Sequence, residues 1–268
     1  MGKYKKSKVK RNCKMRIKYL FLYVFVLFVS VMLAMPSYAK IDQNNIVGFW
    51  SFNDAGGKTV KDSSKNKFDG NVVGSPKAVD GKAGKALEFN GTTDYIDVTA
   101  INTPQVMTFA CWFKKLGAGS GGVPRLHTRG TGPWALEFGV GNTAIAKQLG
   151  FYLAFADGSA TGWTGFFEPK EGTWYHTAIS YDGTNVKGYI DGKEVVSNKS
   201  WAGKKLNQGI SRIGGGAASD AFNGDIDEAM IFDVALSEAD IASLMNPNWM
   251  AVSSLDKIAA TWGNIKNK

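Results

Sequence analysis

Eight tryptophans, all beyond residue 40, are the side chains of this sequence best equipped to meet another molecule. An exposed aromatic face beside hydrogen-bonding groups is what recognition of a sugar ring requires. Trp50, Trp112 and Trp174 fall inside strand-like apolar runs and are expected in a core. Trp134, Trp163 and Trp201 fall instead in Gly-, Thr- and Asn-rich connections: Gly132-Pro133-Trp134, Thr161 to Phe167, and Ser200-Trp201-Ala202-Gly203. Loops on a rigid scaffold carry function disproportionately. Trp134, Trp163, Phe166, Phe167 and Trp201 are therefore the candidate ligand-binding residues, with the run from Gly162 to Phe167 foremost. The competing reading is that these rings cap the open ends of the fold.

Other reactive side chains are sparse. His127 and His176 are the only histidines, and their separation suggests neither a metal cluster nor a catalytic triad. Cys111 sits among Phe109, Ala110, Trp112 and Phe113 and reads as a small buried hydrophobe. Its only possible partner, Cys13, lies in the N-terminal segment, so a disulfide is not expected in the remaining chain. Glu168-Pro169-Lys170-Glu171 has the composition of a solvated loop.

The formal net charge of +9 points at first to nucleic acid or an anionic membrane. Nine of the 32 basic residues, however, lie in residues 1–39, which hold no Asp or Glu; 32 less nine leaves 23 against 23 acidic residues. No electrostatic case for nucleic acid survives. The basic lead runs into an apolar stretch, Tyr19 to Met35, interrupted only by Ser30, and Pro36 follows. Ser37-Tyr38-Ala39 places small residues at the two positions a signal peptidase reads, so cleavage is expected between Ala39 and Lys40. An apolar run of about 17 residues is at the low end of a bilayer span, which leaves an uncleaved anchor as the rival reading and the only route to a membrane.

The 229 residues from Lys40 onward must supply the scaffold. From Ile46 they fall into short apolar or alternating runs separated by Gly, Asn and Asp, the pattern of antiparallel strands. Strands are expected at Val47–Phe52, Ala86–Phe89, Tyr95–Val98, Met107–Lys114, Ala135–Val140, Gly150–Phe155, Trp174–Tyr181, Asn185–Ile190, Glu194–Ser197, Ser211–Ile213 and Asp227–Phe232. Asp182-Gly183 and Asp191-Gly192 supply hairpin turns that join three of them into a meander. Ser237 with Asp240 forms a capping pair for a short helix to Met245, stopped by Asn246-Pro247. Leu255, Ile258, Ala259, Trp262 and Ile265 then recur at helical spacing, a stripe that either packs on the sandwich or docks a partner. The expected organisation is a signal peptide over 1–39, one all-β domain over 40–246 and a short amphipathic tail over 247–268.

Four stretches together carry a family resemblance: Gly48-Phe-Trp-Ser-Phe-Asn53; Ala86-Leu-Glu-Phe-Asn-Gly91 with Asp94-Tyr-Ile-Asp-Val98; Trp174-Tyr-His-Thr-Ala178 running to Tyr189-Ile-Asp-Gly192; and Phe222-Asn-Gly-Asp-Ile-Asp-Glu228 leading to Ile231-Phe-Asp233. In order and spacing they resemble the laminin-G-like jelly rolls of the concanavalin A-like lectin and glucanase superfamily, pentraxin-like branch. The resemblance implies a two-sheet antiparallel jelly-roll sandwich with one or two short C-terminal helices. It implies a secreted or cell-surface module that binds an extracellular glycan or protein, this fold also serving polysaccharide hydrolases and lyases.

The resemblance also implies a structural calcium, carried over to Asp62 and Asn66 in Asp62-Ser-Ser-Lys-Asn66 and to Asp227. A hard cation wants several such oxygens. Lys65 departs from the pattern, standing where similar loops usually carry Gly, and the alternative is an Asx turn at Asp62 with Asp227 bound to backbone amides. Fold mates that cleave polysaccharides use paired carboxylates, typically Glu-x-Asp-x-Glu on one strand face. Asp225-Ile226-Asp227-Glu228 misses this: alternation puts Glu228 on the other face and Ala229 next in line with Asp227. The expectation is a non-catalytic binding or adhesion module recognising carbohydrate through loop aromatics, the alternative being a protein-binding or assembly module.

Overall fold

The computed structural model describes residues 41–98, 101, 104–129, 136–141, 145–198, 201–215 and 220–250. Ala39 and Lys40, Trp134 and the stripe from Leu255 to Ile265 lie outside them. No helix among the described residues is long and apolar enough to cross a membrane.

The strands are β1 (Ile46–Trp50), β2 (Thr59–Val60), β3 (Gly70–Val73), β4 (Lys77–Asp80), β5 (Lys85–Asn90), β6 (Tyr95–Val98), β7 (Met107–Lys115), β8 (Arg125–Arg129), β9 (Leu136–Val140), β10 (Leu149–Leu153), β11 (Thr164–Phe167), β12 (Trp174–Tyr181), β13 (Val186–Ile190), β14 (Lys193–Asn198), β15 (Ser211–Ile213) and β16 (Asn223–Phe232), followed by helix α1 (Glu238–Leu244). They form two antiparallel sheets of eight strands. The first runs β14-β13-β12-β7-β16-β5-β4, with β1 also paired to β16; the second runs β11-β10-β9-β8-β15-β6-β3-β2. This is the expected all-β sandwich.

Alternation explains which side chains fill it. Phe109, Cys111 and Phe113 of β7 point into the main core, where they meet Phe138, Phe151 and Leu153 from the second sheet. The intervening residue Ala110 joins Ala178, Tyr189, Met230 and Phe232 in a second cluster, with Ile241 and Leu244 of α1 and with Trp249. β7 is thus covered on both faces along much of its length, which is why its sequence reads as an unbroken apolar run. Helix α1 begins with the expected reciprocal cap between Ser237 and Asp240. The β13–β14 hairpin turns on Asp191 (φ 46°) and Gly192 (φ 77°), a pair of left-handed residues that matches strand twist.

Five strands escape the sequence pattern. β2, β3 and β4 are short and largely solvent-facing, and β8 reads Arg-Leu-His-Thr-Arg, too polar to stand out. β11 corrects a site expectation: Phe166 and Phe167 lie on a strand paired with β10, not in a loop. The first strand also stops at Trp50, because Phe52 turns left-handed at φ 55° while its ring stays buried.

Candidate functional site

The second sheet turns one polar line outward. Tyr152, Glu137, Thr128, Arg212 and Asp97 are successive cross-strand partners over β10, β9, β8, β15 and β6. The neighbouring line, Phe151, Phe138, His127, Ile213 and Ile96, points into the sandwich. Alternation therefore puts hydrogen-bonding groups on this face as directly as it puts phenylalanines beneath it.

Trp163 closes one end of this face. Its half-buried ring lies 5.8 Å from the Tyr152 ring, with the Arg125 guanidinium 4.9 Å above it. Arg125 is 6% exposed and held between two carboxylates, Glu137 at 3.0 Å and Asp220 at 3.4 Å, and it also donates to the Val123 carbonyl. Burial holds the Glu137 carboxyl above its ordinary range despite the guanidinium beside it. At the other end, Arg212 stacks 4.9 Å from the Tyr95 ring, near Asp97. Between and beside these pairs, Thr128 Oγ1, Arg125 Nε and Asp97 Oδ1 are buried with no hydrogen-bond partner. The face thus joins aromatic rings at its ends with planar ion pairs, while Glu137 and Thr128 in its middle are buried. Ile145 and Gln148 cover its flank: a methyl added to Gly150 would come within 2.5 Å of Ile145 Cδ1, and one on Gly165 within 2.4 Å of Gln148 Oε1.

The other candidate aromatics are placed differently. Phe166 stacks on Phe138 at 6.4 Å and lies 6.2 Å from Phe151; Phe167 meets Tyr175 edge-on at 4.9 Å. Trp201 stacks on Phe155 at 5.2 Å and packs against the main core. These three rings plug the sandwich, and among the described candidates only Trp163 joins the polar face. Tyr152, Glu137, Arg125, Arg212 and Tyr95 were missed in the sequence. For Tyr152, Glu137, Arg212 and Tyr95 the signal was present as the outward positions of β10, β9, β15 and β6, whereas Arg125 lies on β8, a strand too polar to stand out.

The expected calcium ligands are otherwise engaged. Asp62 Oδ1 accepts from the amides of Phe49 (2.9 Å) and Ser64 (2.7 Å), and Oδ2 from Ser64 Oγ (2.7 Å) and the Phe68 amide (2.8 Å). Those four donors fill a carboxylate's lone-pair sites. Asn66 Nδ2 donates to the carbonyls of Ile46 and Val47, oxygens a cation would need, and Lys67 Nζ reaches the Asp62 carbonyl at 3.4 Å. Asp227 accepts from the amides of Lys82, Ala83 and Glu228. No three His, Cys, Asp or Glu groups among the described residues are grouped to hold a metal. In this arrangement the residues do not fit calcium; the loop is closed by N–H and O–H donors.

The carboxylate run is also corrected. β16 bulges between Asp227 and Met230, with Glu228 left-handed at φ 50°. The bulge shifts the alternation, so Ala229 points into the main core, and Met230, not Ala229, continues the outer face. Glu228 is buried beside Asp227 and accepts from the Trp249 indole; burial and the Asp227 charge push its carboxyl up to about 8. Asp227 is pushed up to about 6 by burial. Asp225 is tied to Lys114 at 2.5 Å, and Lys114 also faces the Trp174 ring at 5.2 Å. Each carboxyl is thus held by its own chain. His176, fully buried edge-on to Trp112 and held neutral by burial with its pKa lowered to about 3, is a packed strand residue. His127 lies in the core, stacked 4.4 Å from Phe109 and 2.7 Å from Ser211 Oγ. Trp112, under Lys82, and the half-buried Trp174 lie on the outer face of the first sheet, not in the main core.

A family model described as the concanavalin A-like lectin/glucanases superfamily, of laminin-G type, matches residues 90–242. Among curated proteins, pappalysin-1 of Mus musculus is 28% identical over 109 residues, covering 36% of this chain and 7% of that protein. Domain 4 of AbnA, a GH43 extracellular arabinanase from Geobacillus stearothermophilus solved with arabinotriose, superposes with a TM-score of 0.57 at 22% identity, over 75% of this chain and 98% of that one. The binding domain of botulinum neurotoxin DC, solved with rat synaptotagmin II, gives 0.59 at 15% identity, over 76% and 52%. These solved structures share the fold.

Proposed function

Since the chain belongs to the concanavalin A-like lectin/glucanases superfamily, we propose that it is a non-catalytic carbohydrate-binding module acting outside the cytoplasm, with the outer face of the second sheet as its binding surface. One observation carries this reading: the half-buried Trp163 ring, flanked by Tyr152 and by an Arg125 guanidinium fixed between Glu137 and Asp220. A sugar ring stacks on an aromatic face, and a ring already held in place by its neighbours needs little ordering on binding. The arabinotriose held in the complex of the AbnA domain is consistent with a glycan ligand for this fold. Engagement of Asp225, Glu137, Asp227 and Glu228 by the chain's own lysine, arginine, indole or amides supports binding without cleavage at these carboxyls.

A second reading, a protein-binding or assembly module, is favoured by a different feature. Val195 is 47% exposed on β14, the strand at the end of the first sheet's order, where strand addition can occur. A glycan array probed with residues 40–268 separates the two: retention of a glycan supports the first, and self-association or protein capture without glycan retention supports the second. Export rests on the basic lead, apolar run and small-residue site ending at Ala39. N-terminal sequencing of protein recovered outside the cytoplasm is expected to begin at Lys40; a start at Met1 in the membrane fraction would favour the anchor.

A further inference from the structure

We infer that Glu228 and Trp249 form a pH-sensitive latch, which clasps residues 246–250 against the first sheet in acid and loosens as the medium turns neutral to mildly alkaline. It is independent of what the second sheet binds. Asp227 and Glu228 are consecutive carboxyls, 0% and 6% exposed, at the bulge of β16. The left-handed glutamate accepts from the Trp249 indole. Trp249 is the lid: it is 6% exposed, and its ring lies 5.7 Å from Phe49 and 6.5 Å from Phe232. The segment is also tied to the start of the domain by Gln43 Nε2, which donates to the Met250 carbonyl at 3.3 Å. Lifting the lid would bring water to both carboxyls and uncover Phe49 and Phe232.

Two adjacent carboxyls in a dry site cannot both ionise without a large penalty. The amides of Lys82, Ala83 and Glu228 serve Asp227, and the indole serves Glu228. The elements packed around them bring no cation to Glu228. β1 and residues 246–250 carry no ionisable side chain. β7 brings Cys111, whose thiol burial and the Asp227 charge push up, and Trp112, over whose ring the Lys82 ammonium lies at 4.5 Å. His176, beyond Trp112, is neutral. On α1, Glu238 accepts from the Glu194 amide and Asp240 caps Ser237. Burial first, then the Asp227 charge, holds the Glu228 proton to about 8, whereas an opened, hydrated carboxyl loses it near 4.5. Opening therefore releases a proton. The clasp is firmest below the ordinary value and weakens as pH rises to the folded one, beyond which it changes no further.

The test is limited proteolysis of the purified protein with chymotrypsin, which cuts after aromatic residues, at pH 6 and at pH 8. A peptide of residues 244–255 in the same tube corrects for the protease's own pH dependence. Cleavage after Trp249 follows the population of the opened segment. Relative to the peptide, the unaltered protein is expected to be cut there about tenfold faster or more at pH 8 than at pH 6, with the strands left intact. Glu228→Gln, which cannot ionise, is expected to be cut at the same slow relative rate at both. An equal relative rate at the two pH values in the unaltered protein would overturn the latch. So would an undiminished rise in Glu228→Gln, or a rise matched by cuts within the strands, which marks general unfolding. Should Glu228→Gln fail to fold, the rates and the pattern of cuts in the unaltered protein still decide.

Discussion

Removing the Asp62 carboxylate would strip acceptors from four donors at once, three of them backbone amides on Phe49, Ser64 and Phe68. Hydrogen bonds to a buried charge are worth more than neutral ones, and orphaned amides add their desolvation cost. Asp62→Ala is accordingly expected to lower stability by about 3 kcal/mol or more in denaturant unfolding. Because those donors occupy the positions a cation would take, chelation is expected to leave the melting temperature of the unaltered protein in place; a clear fall on adding chelator would restore calcium to the loop. The loop sequence singles out Asp62 as a residue with a structural task. It could not say which donors meet it, because Phe49 and Phe68 reach the carboxylate only once β1 and the following loop are folded together. Lys67, whose amine caps the Asp62 carbonyl, carried no such mark.

β16 shows what alternation resolves and where it fails. Its inward Ile226 and outward Asp225 and Asp227 follow the two-residue period, but the bulge at Glu228 forces a left-handed glutamate into a buried position, which no strand pattern announces. The consequence is measurable. In the fold Asp227 and Glu228 keep their protons to about pH 6 and about pH 8, above the ordinary values of 3.8 and 4.5. Their contribution to stability is complete below the unfolded values and is lost as pH rises through the folded ones. Glu228→Gln preserves the acceptor for Trp249 but cannot ionise. It is expected to gain about 1 kcal/mol or more at pH 8.5, roughly 2–4 °C, and little at pH 4.5. Parallel melting profiles for the two proteins across that range would contradict the burial of Glu228. By contrast α1 was legible almost to the residue, since the Ser237–Asp240 cap and Asn246-Pro247 are local signals.

The two outer faces of the molecule differ in kind. Much of the first sheet's outer face lies beneath α1 and Trp249, while the second sheet's carries the line of polar and aromatic side chains. The sandwich was readable because its signals are short-range: strand alternation, Gly turns and a capped helix. The site was readable only at Trp163. Its other members are ordinary outward residues of separate strands, from Tyr95 to Arg212 in sequence, brought onto one face by pairing that no local pattern encodes. The formally neutral charge after residue 39 fits a binder that works by stacking and hydrogen bonding more than by charge attraction. The most direct test of the account is the affinity of Trp163→Ala for a glycan retained by the unaltered protein, measured on samples with matched melting temperatures. A loss of about tenfold or more is expected, the scale of one lost aromatic contact. Undiminished binding by that variant would contradict it.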